Sequence, residues 1–165
     1  MTVDPDAFRR VVGHFATGVT VVTTYAGDRH YAMTANSFTS VSLDPVLALV
    51  AVETKARFHD AVLESGTFAV NVLAEDQEDV SRWFATRGRP HDAAYMGSWP
   101  LVSGPATGAA LIEGALATLE CRTYGTHPGG DHTLLVGEVV AMGEPRDGVG
   151  PLVYFRGTYR RLSAE

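Results

Sequence analysis

The stretch Met33-Thr34-Ala35-Asn36-Ser37-Phe38-Thr39-Ser40-Val41-Ser42-Leu43-Asp44-Pro45 decides how the rest of this sequence is read. It starts with the apolar alternation of a strand and passes into a run of hydroxyl and amide side chains. Short polar groups beside a packed face suit a planar polar ligand. Backbone N–H groups leaving a sheet reach ring carbonyls and nitrogens, and hydroxyls serve a sugar alcohol or a phosphate. The same Ser, Thr and Asn residues also suit a plain strand end and turn. No strong base or nucleophile stands in the stretch.

Upstream, Gly18 to Tyr25 is rich in Val and Thr, the β-branched types that fit a pleated sheet. Gly27-Asp28 is turn chemistry and His30 to Phe38 is again extended, so the pair reads as a hairpin. Further back, Asp4-Pro5 sets up a helix start, with Asp4 as N-cap and Pro5 at the first helical position. Phe8, Val11, Val12 and Phe15 then give one apolar face, and His14 lies off it as a solvated or capping residue.

Downstream, Asp44-Pro45 interrupts, and Val46 to Glu53 is an almost wholly apolar run that reads as a central strand buried on both faces. Thr54-Lys55-Ala56-Arg57 follows directly, ahead of Phe58, Ala61 and Val62 at helical spacing. A strand-to-helix junction with a hydroxyl, two cations and free N–H groups is a seat for phosphate, although solvated surface charges have the same composition. Ser65-Gly66 ends that helix, Thr67 to Leu73 alternates as a strand, and Asp76 to Thr86 returns to helical spacing through Val80, Trp83 and Phe84. Arg87 to Pro105 is a long Gly- and Pro-punctuated loop, suited either to shaping a ligand entrance or to wrapping a second subunit.

Ala110 to Tyr124 and Thr133 to Met142 are strand-rich runs joined around Thr126-His127-Pro128-Gly129-Gly130-Asp131-His132, and Leu152 to Phe155 is a last short strand. About six or seven strands separated by turn signals, with two or three peripheral helices, favour an antiparallel barrel over a doubly wound sheet. The Gly-x-Gly-x-x-Gly fingerprint is missing, so any nicotinamide binds outside a dinucleotide-binding Rossmann unit.

Composition narrows the function. The 165 residues fit one domain, 1–165, with room for a sizeable core, and no repeat or linker divides them. A formal charge of −6 argues against a nucleic-acid binder and requires that a phosphate ligand find local cations. The longest clean apolar run, Val46 to Val52, is far short of the roughly 20 residues that cross a bilayer, so no membrane span is expected. The acidic N-terminus is unlike a secretory signal, which points to the cytoplasm. Cys121 is the only cysteine and sits in a strand pattern, so it reads as a buried structural residue. His127, Asp131 and His132 show no recognisable ligand spacing, and no metal is expected.

Taken with Gly18-Val19-Thr20-Val21-Val22-Thr23-Thr24, the opening stretch resembles the signature of the short-chain flavin reductases, the NAD(P)H-dependent reductase components of two-component flavin monooxygenases. Phe68 to Leu73, Gly130-Asp131-His132, Gly137-Glu138-Val139 and Pro151 to Gly157 continue the likeness in order, from about Phe8 to Leu162. The resemblance implies a mainly β fold, the FMN-binding split β-barrel, as a homodimer with flavin near the subunit interface. It implies an NAD(P)H:flavin oxidoreductase that reduces FMN or FAD with NADH or NADPH and hands the reduced flavin to a partner monooxygenase. A pyridoxamine-phosphate type oxidase and a non-catalytic flavin- or haem-binding module are the alternatives.

The same resemblance assigns site residues. Met33, Thr34, Ala35, Asn36, Ser37, Ser40, Val41 and Ser42 would meet the flavin, and Thr54, Lys55, Ala56 and Arg57 its ribityl phosphate. Phe84 and Ala85, with Arg87 and Arg89, would approach the flavin or its adenylate half. Gly130, Asp131 and His132 would form the nicotinamide motif, with His132 closest to catalysis, and Tyr154, Phe155 and Arg156 would lie over the cofactor pocket. Read locally, His127 to His132 is equally a surface turn and Tyr154-Phe155 equally a closing strand with core aromatics.

Overall fold

The computed structural model describes residues 2–90 and 95–163. Helix α1 (Pro5–Val12) starts on Asp4, whose carboxylate accepts the Asp6 and Ala7 N–H groups, with Pro5 leading the first turn. Strands β1 (Thr17–Gly18), β2 (Thr20–Ala26), β3 (Arg29–Ala35), β4 (Thr39–Leu43) and β5 (Val46–Glu53) follow, then α2 (Arg57–Ser65), β6 (Thr67–Val72) and α3 (Glu78–Ala85). A small hairpin, β7 (Leu101–Ser103) and β8 (Ala110–Ile112), precedes the long pair β9 (Ala117–Gly129) and β10 (His132–Met142). A second small hairpin, β11 (Val153–Phe155) and β12 (Thr158–Arg160), ends the chain's regular structure.

Seven strands form one antiparallel sheet in the order β3-β2-β6-β9-β10-β5-β4. Its two edge strands, β3 and β4, are neighbours in sequence, so the short connector 36–38 spans the open seam of a split barrel. The β4–β5 ladder stops at Thr39↔Leu49. Beyond it the Ser37 hydroxyl takes over: Oγ donates to the Ala51 carbonyl at 3.0 Å and accepts the Ala51 N–H at 3.1 Å. One side chain thus continues the ladder where the backbone has turned away.

Inside the curl, Val22, Val50, Val52, Phe68, Val70 and Leu135 pack with Phe58 and Val62 of α2, which closes one mouth. A second cluster on the other side joins Val21, Ala32 and Leu73 to Val80 and Phe84 of α3 and to Leu152. Adjacent residues Val21 and Val22 enter different cores, so β2, like β6, is buried on both faces. Its Thr20, Thr23 and Thr24 hydroxyls each donate to a carbonyl, at 2.8, 2.6 and 2.7 Å, so their burial leaves no orphan oxygen.

Several expectations change. Two-faced burial was expected of Val46 to Glu53, yet β5 buries only Ala48, Val50 and Val52 fully while Leu47, Leu49 and Ala51 alternate as half-covered. Position in the sheet is not the reason, since β2 and β5 both stand next to an edge; α3, Ile112 of β8 and Leu152 cover the second face of β2, whereas among the described residues no second core cluster includes β5. Helix α1 buries no residue, and Val11 and Phe15 of its apolar side are 71% and 79% exposed. The expected turn at 126–132 shrinks to two residues: Gly129 pairs with His132, and Gly130 at φ +74° with Asp131 makes a tight turn that needs glycine first. The count of six or seven strands was low because β1, β7 and β12 are too short to show periodicity and the run from Ala110 divides into β8 and β9.

Cys121 is fully buried, and burial, with the neighbouring Glu120 charge adding to it, pushes its thiol up to about 12. It stands beside Gly137, where an added Cβ would lie 2.5 Å from Phe68 Cζ and 2.8 Å from Cys121 Cβ. Gly137→Ala should therefore overpack the barrel and cost about 1–3 kcal/mol in urea denaturation. An unchanged midpoint would show that the barrel relaxes freely at this point.

Candidate functional site

A cavity of about 440 Å3 opens where β3, the β5–α2 junction and the end of α3 converge. Met33 and Thr34 form one wall, Lys55 to Phe58 another, and Phe84 to Arg89 with Tyr95 the third. Among the described residues its lining carries Lys55, Arg57, Arg87 and Arg89 against one carboxylate, Glu53. A chain of net charge −6 has gathered cations at this one place, which favours an anionic ligand.

The junction explains the shape. Helix α2 starts on Ala56, whose methyl side chain caps nothing, whereas α1 carries an aspartate cap. The uncapped start lies on the cavity wall, with Ala56, Arg57 and Phe58 lining it beside Lys55. Arg57 is aimed by a hydrogen bond from Nη1 to the Arg89 carbonyl at 3.2 Å, and Arg87 meets Glu53 at 3.2 Å.

Arg89 behaves differently from the sequence expectation of a ligand-facing cation. It is 9% exposed, and its guanidinium donates to the Trp83, Thr86 and Ala32 carbonyls at 2.9, 3.1 and 2.8 Å. It also lies over the Phe84 and Tyr95 rings, 5.2 and 4.8 Å from their centres. It ties the loop after α3 to β3, and only its Nε is buried without a partner. The Tyr95 hydroxyl donates to the same Ala32 carbonyl at 3.0 Å. Residues 91–94 of the loop expected to shape the entrance lie outside the described residues.

The opening stretch divides between two cavities. Thr34 is anchored by donating to the Ser81 carbonyl at 2.7 Å, and Ala35 turns into the core. Asn36 and Ser37 line a second hollow of about 890 Å3 together with Thr17, Phe38 and Tyr154. Ser40, Val41 and Ser42 belong to edge strand β4 and line neither of these cavities. Phe155 stands edge-on to His14, and Arg156 occupies the β11–β12 turn at φ +51°, its N–H bonded to the Gly13 carbonyl. The C-terminal motif therefore shares a hollow with the polar stretch through Tyr154, while Tyr159 of β12 meets α3, its hydroxyl 2.7 Å from Ser81 Oγ.

The Gly130-Asp131-His132 tip is joined to the cationic junction. The Asp131 carbonyl accepts both the Thr54 N–H at 3.0 Å and the Thr54 hydroxyl at 3.1 Å. Thr54 thus spends its donors on the hairpin and not on the cavity. His132 pairs in register with Glu53, on the outer face of the sheet, and stands at the cavity rim without lining it. Its Nδ1–H donates to Asp131 Oδ1 at 2.7 Å; that bond, with the imidazole and Lys55 charges, holds the Asp131 carboxyl below its usual range. Among the described residues no group of three or more His, Cys, Asp or Glu side chains is placed to hold a metal ion.

Glu53 and Tyr95 were not anticipated as lining residues. A lone acid closing an apolar strand was the available signal for Glu53, while Tyr95 lies in an irregular loop whose path no periodicity reveals.

A polar strand edge, an uncapped cationic helix start and a glycine hairpin tip are thus brought together on a split barrel. Residues 12–163 match the family described as "Flavin reductase like domain", and the chain belongs to that family. It is 42% identical over 155 residues to an NADH-dependent FMN reductase, AsuE2, of Streptomyces nodosus subsp. asukaensis, covering 94% of this chain and 83% of the relative. It is 41% identical over 159 residues to the reductase component of 4-hydroxyphenylacetate 3-monooxygenase of Thermus thermophilus, covering 95% and 96%. Among solved structures it superposes on BorF, the flavin reductase component of a bacterial two-component tryptophan halogenase. The TM-score is 0.91 at 46% identity, over 98% of this chain and all of that one.

Proposed function

We propose that this chain is an NADH-dependent flavin reductase that reduces FMN or FAD and releases it to a flavin-dependent monooxygenase. The observation that carries this reading is the single cavity in which a polar strand edge and four cationic side chains meet, with a histidine hairpin at its rim. The donor set fits a flavin: Lys55, Arg57 and the open α2 start for the phosphate, and the backbone and side chains of Met33 to Ser37 for the ring. When bound, the flavin supplies the hydride-accepting ring. The protein needs no acid–base triad; its groups hold two planar partners face to face and exclude water between them. His132, fixed by Asp131, would orient the nicotinamide, and Tyr154 would bound the opposite hollow. Ser40 to Ser42, Phe155 and Arg156 would act from outside the first cavity.

The whole chain, 1–165, would work as one such unit in the cytoplasm, and no helix of the described residues is long and apolar enough to cross a membrane. The uncovered apolar groups suggest two copies. Val41 and Leu43 of β4 are 51% and 89% exposed, Phe8, Val11 and Phe15 project from α1, and the outer row Leu47, Leu49 and Ala51 shares its face with His132. A second copy laid on this face would enclose His132 and complete the site.

Three expectations follow. Anaerobic mixing with NADH and FMN or FAD should bleach the long-wavelength flavin band, and His132→Ala should slow that step by about 10- to 100-fold with little change in flavin affinity; no acceleration over a protein-free control contradicts the activity. Lys55→Ala with Arg57→Ala should weaken flavin binding by about 10- to 100-fold in a fluorescence titration, and unchanged affinity would misplace the phosphate seat. Sedimentation equilibrium should return about twice the chain mass, with a lone chain at micromolar concentration contradicting the pairing.

A further inference from the structure

We infer that His59 is a positioning residue for hydride transfer: from α2 it grips the Thr133 hydroxyl and so fixes the hairpin end that carries His132. The inference rests on reading that hairpin tip as the nicotinamide-facing edge of the site. The His59 side chain is 13% exposed, with Nδ1 2.9 Å from Asp60 Oδ1 and Nε2 2.9 Å from Thr133 Oγ1. With Nδ1–H donating to the Asp60 carboxylate, Nε2 accepts from the Thr133 hydroxyl.

Thr133 follows His132 in β10, so the two side chains point to opposite faces of the sheet. Thr133 shares the inner face with Leu135, which packs against Phe58 and Val62 of α2. The helix therefore holds one face of the strand end while the other face presents His132. The second anchor of the tip is the Asp131 carbonyl on Thr54. Both anchors come from one segment, 54–59, which also carries Lys55 and Arg57. The groups proposed to hold the flavin phosphate and those that place His132 are thus parts of one short piece of chain.

A two-residue hairpin end held only by its ladder opens more readily than the sheet behind it. Closing it from both sides restricts His132 to one position, and a displacement of about 1 Å at such a group costs up to roughly 100-fold in rate. His59 needs no contact with substrate to have this effect.

The test uses the full chain with His59→Ala, His59→Gln, Thr133→Val and the double variant His59→Ala/Thr133→Val. Two quantities are measured: amide hydrogen exchange over 130–134 without flavin, and the anaerobic single-turnover rate with NADH and FMN. His59→Ala and Thr133→Val should each speed exchange at the tip and slow hydride transfer by about 5- to 20-fold, with flavin affinity within about twofold. The double variant should be no slower than either single one, and His59→Gln, which keeps a polar group in reach, should recover part of the rate. Native exchange and rate in His59→Ala, or losses that multiply in the double variant, overturn the inference. With His132→Ala measured alongside, a native His59→Ala beside a slowed His132→Ala removes only this link. Native rates in both remove the reading of the tip as well.

Discussion

The Ser37 hydroxyl bound to both backbone groups of Ala51 is the constraint on which the rest of the architecture depends. An antiparallel sheet that curls without closing leaves two edges, and each edge exposes N–H and C=O groups that water or another chain will claim. Here the edges are consecutive strands, so a three-residue connector must cross the gap while keeping its own polar groups satisfied. Ser37 does so with a side chain short enough to lie flat against β5. The consequence is that Met33 to Ser37 runs along the seam with one cavity on either side, and Thr34 is pinned to Ser81 of α3.

Electrostatics then distinguishes the two cavities. The one bounded by α2 and α3 is lined by Lys55, Arg57, Arg87 and Arg89 where the second hollow has Arg9, and its helix start has no side-chain cap to compete with a ligand. Arg89 contributes as a clasp: buried and bonded to three carbonyls, it sets where the loop after α3 runs and how Arg57 is aimed. The exposed Arg87–Glu53 pair adds little stability, but it keeps the one carboxylate of the lining engaged.

The sequence made much of this legible. Asp4-Pro5, Ser65-Gly66 and Gly27-Asp28 are local signals, and each sits where local chemistry requires: a capped start, a helix end with Gly66 at φ +67°, and a turn with both residues at positive φ. The strand-to-helix junction at Thr54 to Arg57 was equally readable because its residues are contiguous. What the sequence concealed depends on contacts distant along the chain. Thr54 and Asp131 are 77 residues apart and His59 and Thr133 are 74 apart, so no window contains both partners. The burial of β2 and half-exposure of β5 were exchanged for a related reason: two apolar strands, each one in from an edge, look alike until the packing of α3, Ile112 and Leu152 on β2 is known. The apolar side of α1 was a true periodic signal, yet among the described residues none of its side chains is buried.

The most direct test of the account is a crystal soaked with FMN. The account predicts ligand density whose phosphate lies at the α2 start between Lys55 and Arg57 and whose ring runs along Met33 to Ser37. Density confined to the hollow bounded by Thr17 and Tyr154, with the cationic junction left to solvent, would contradict it.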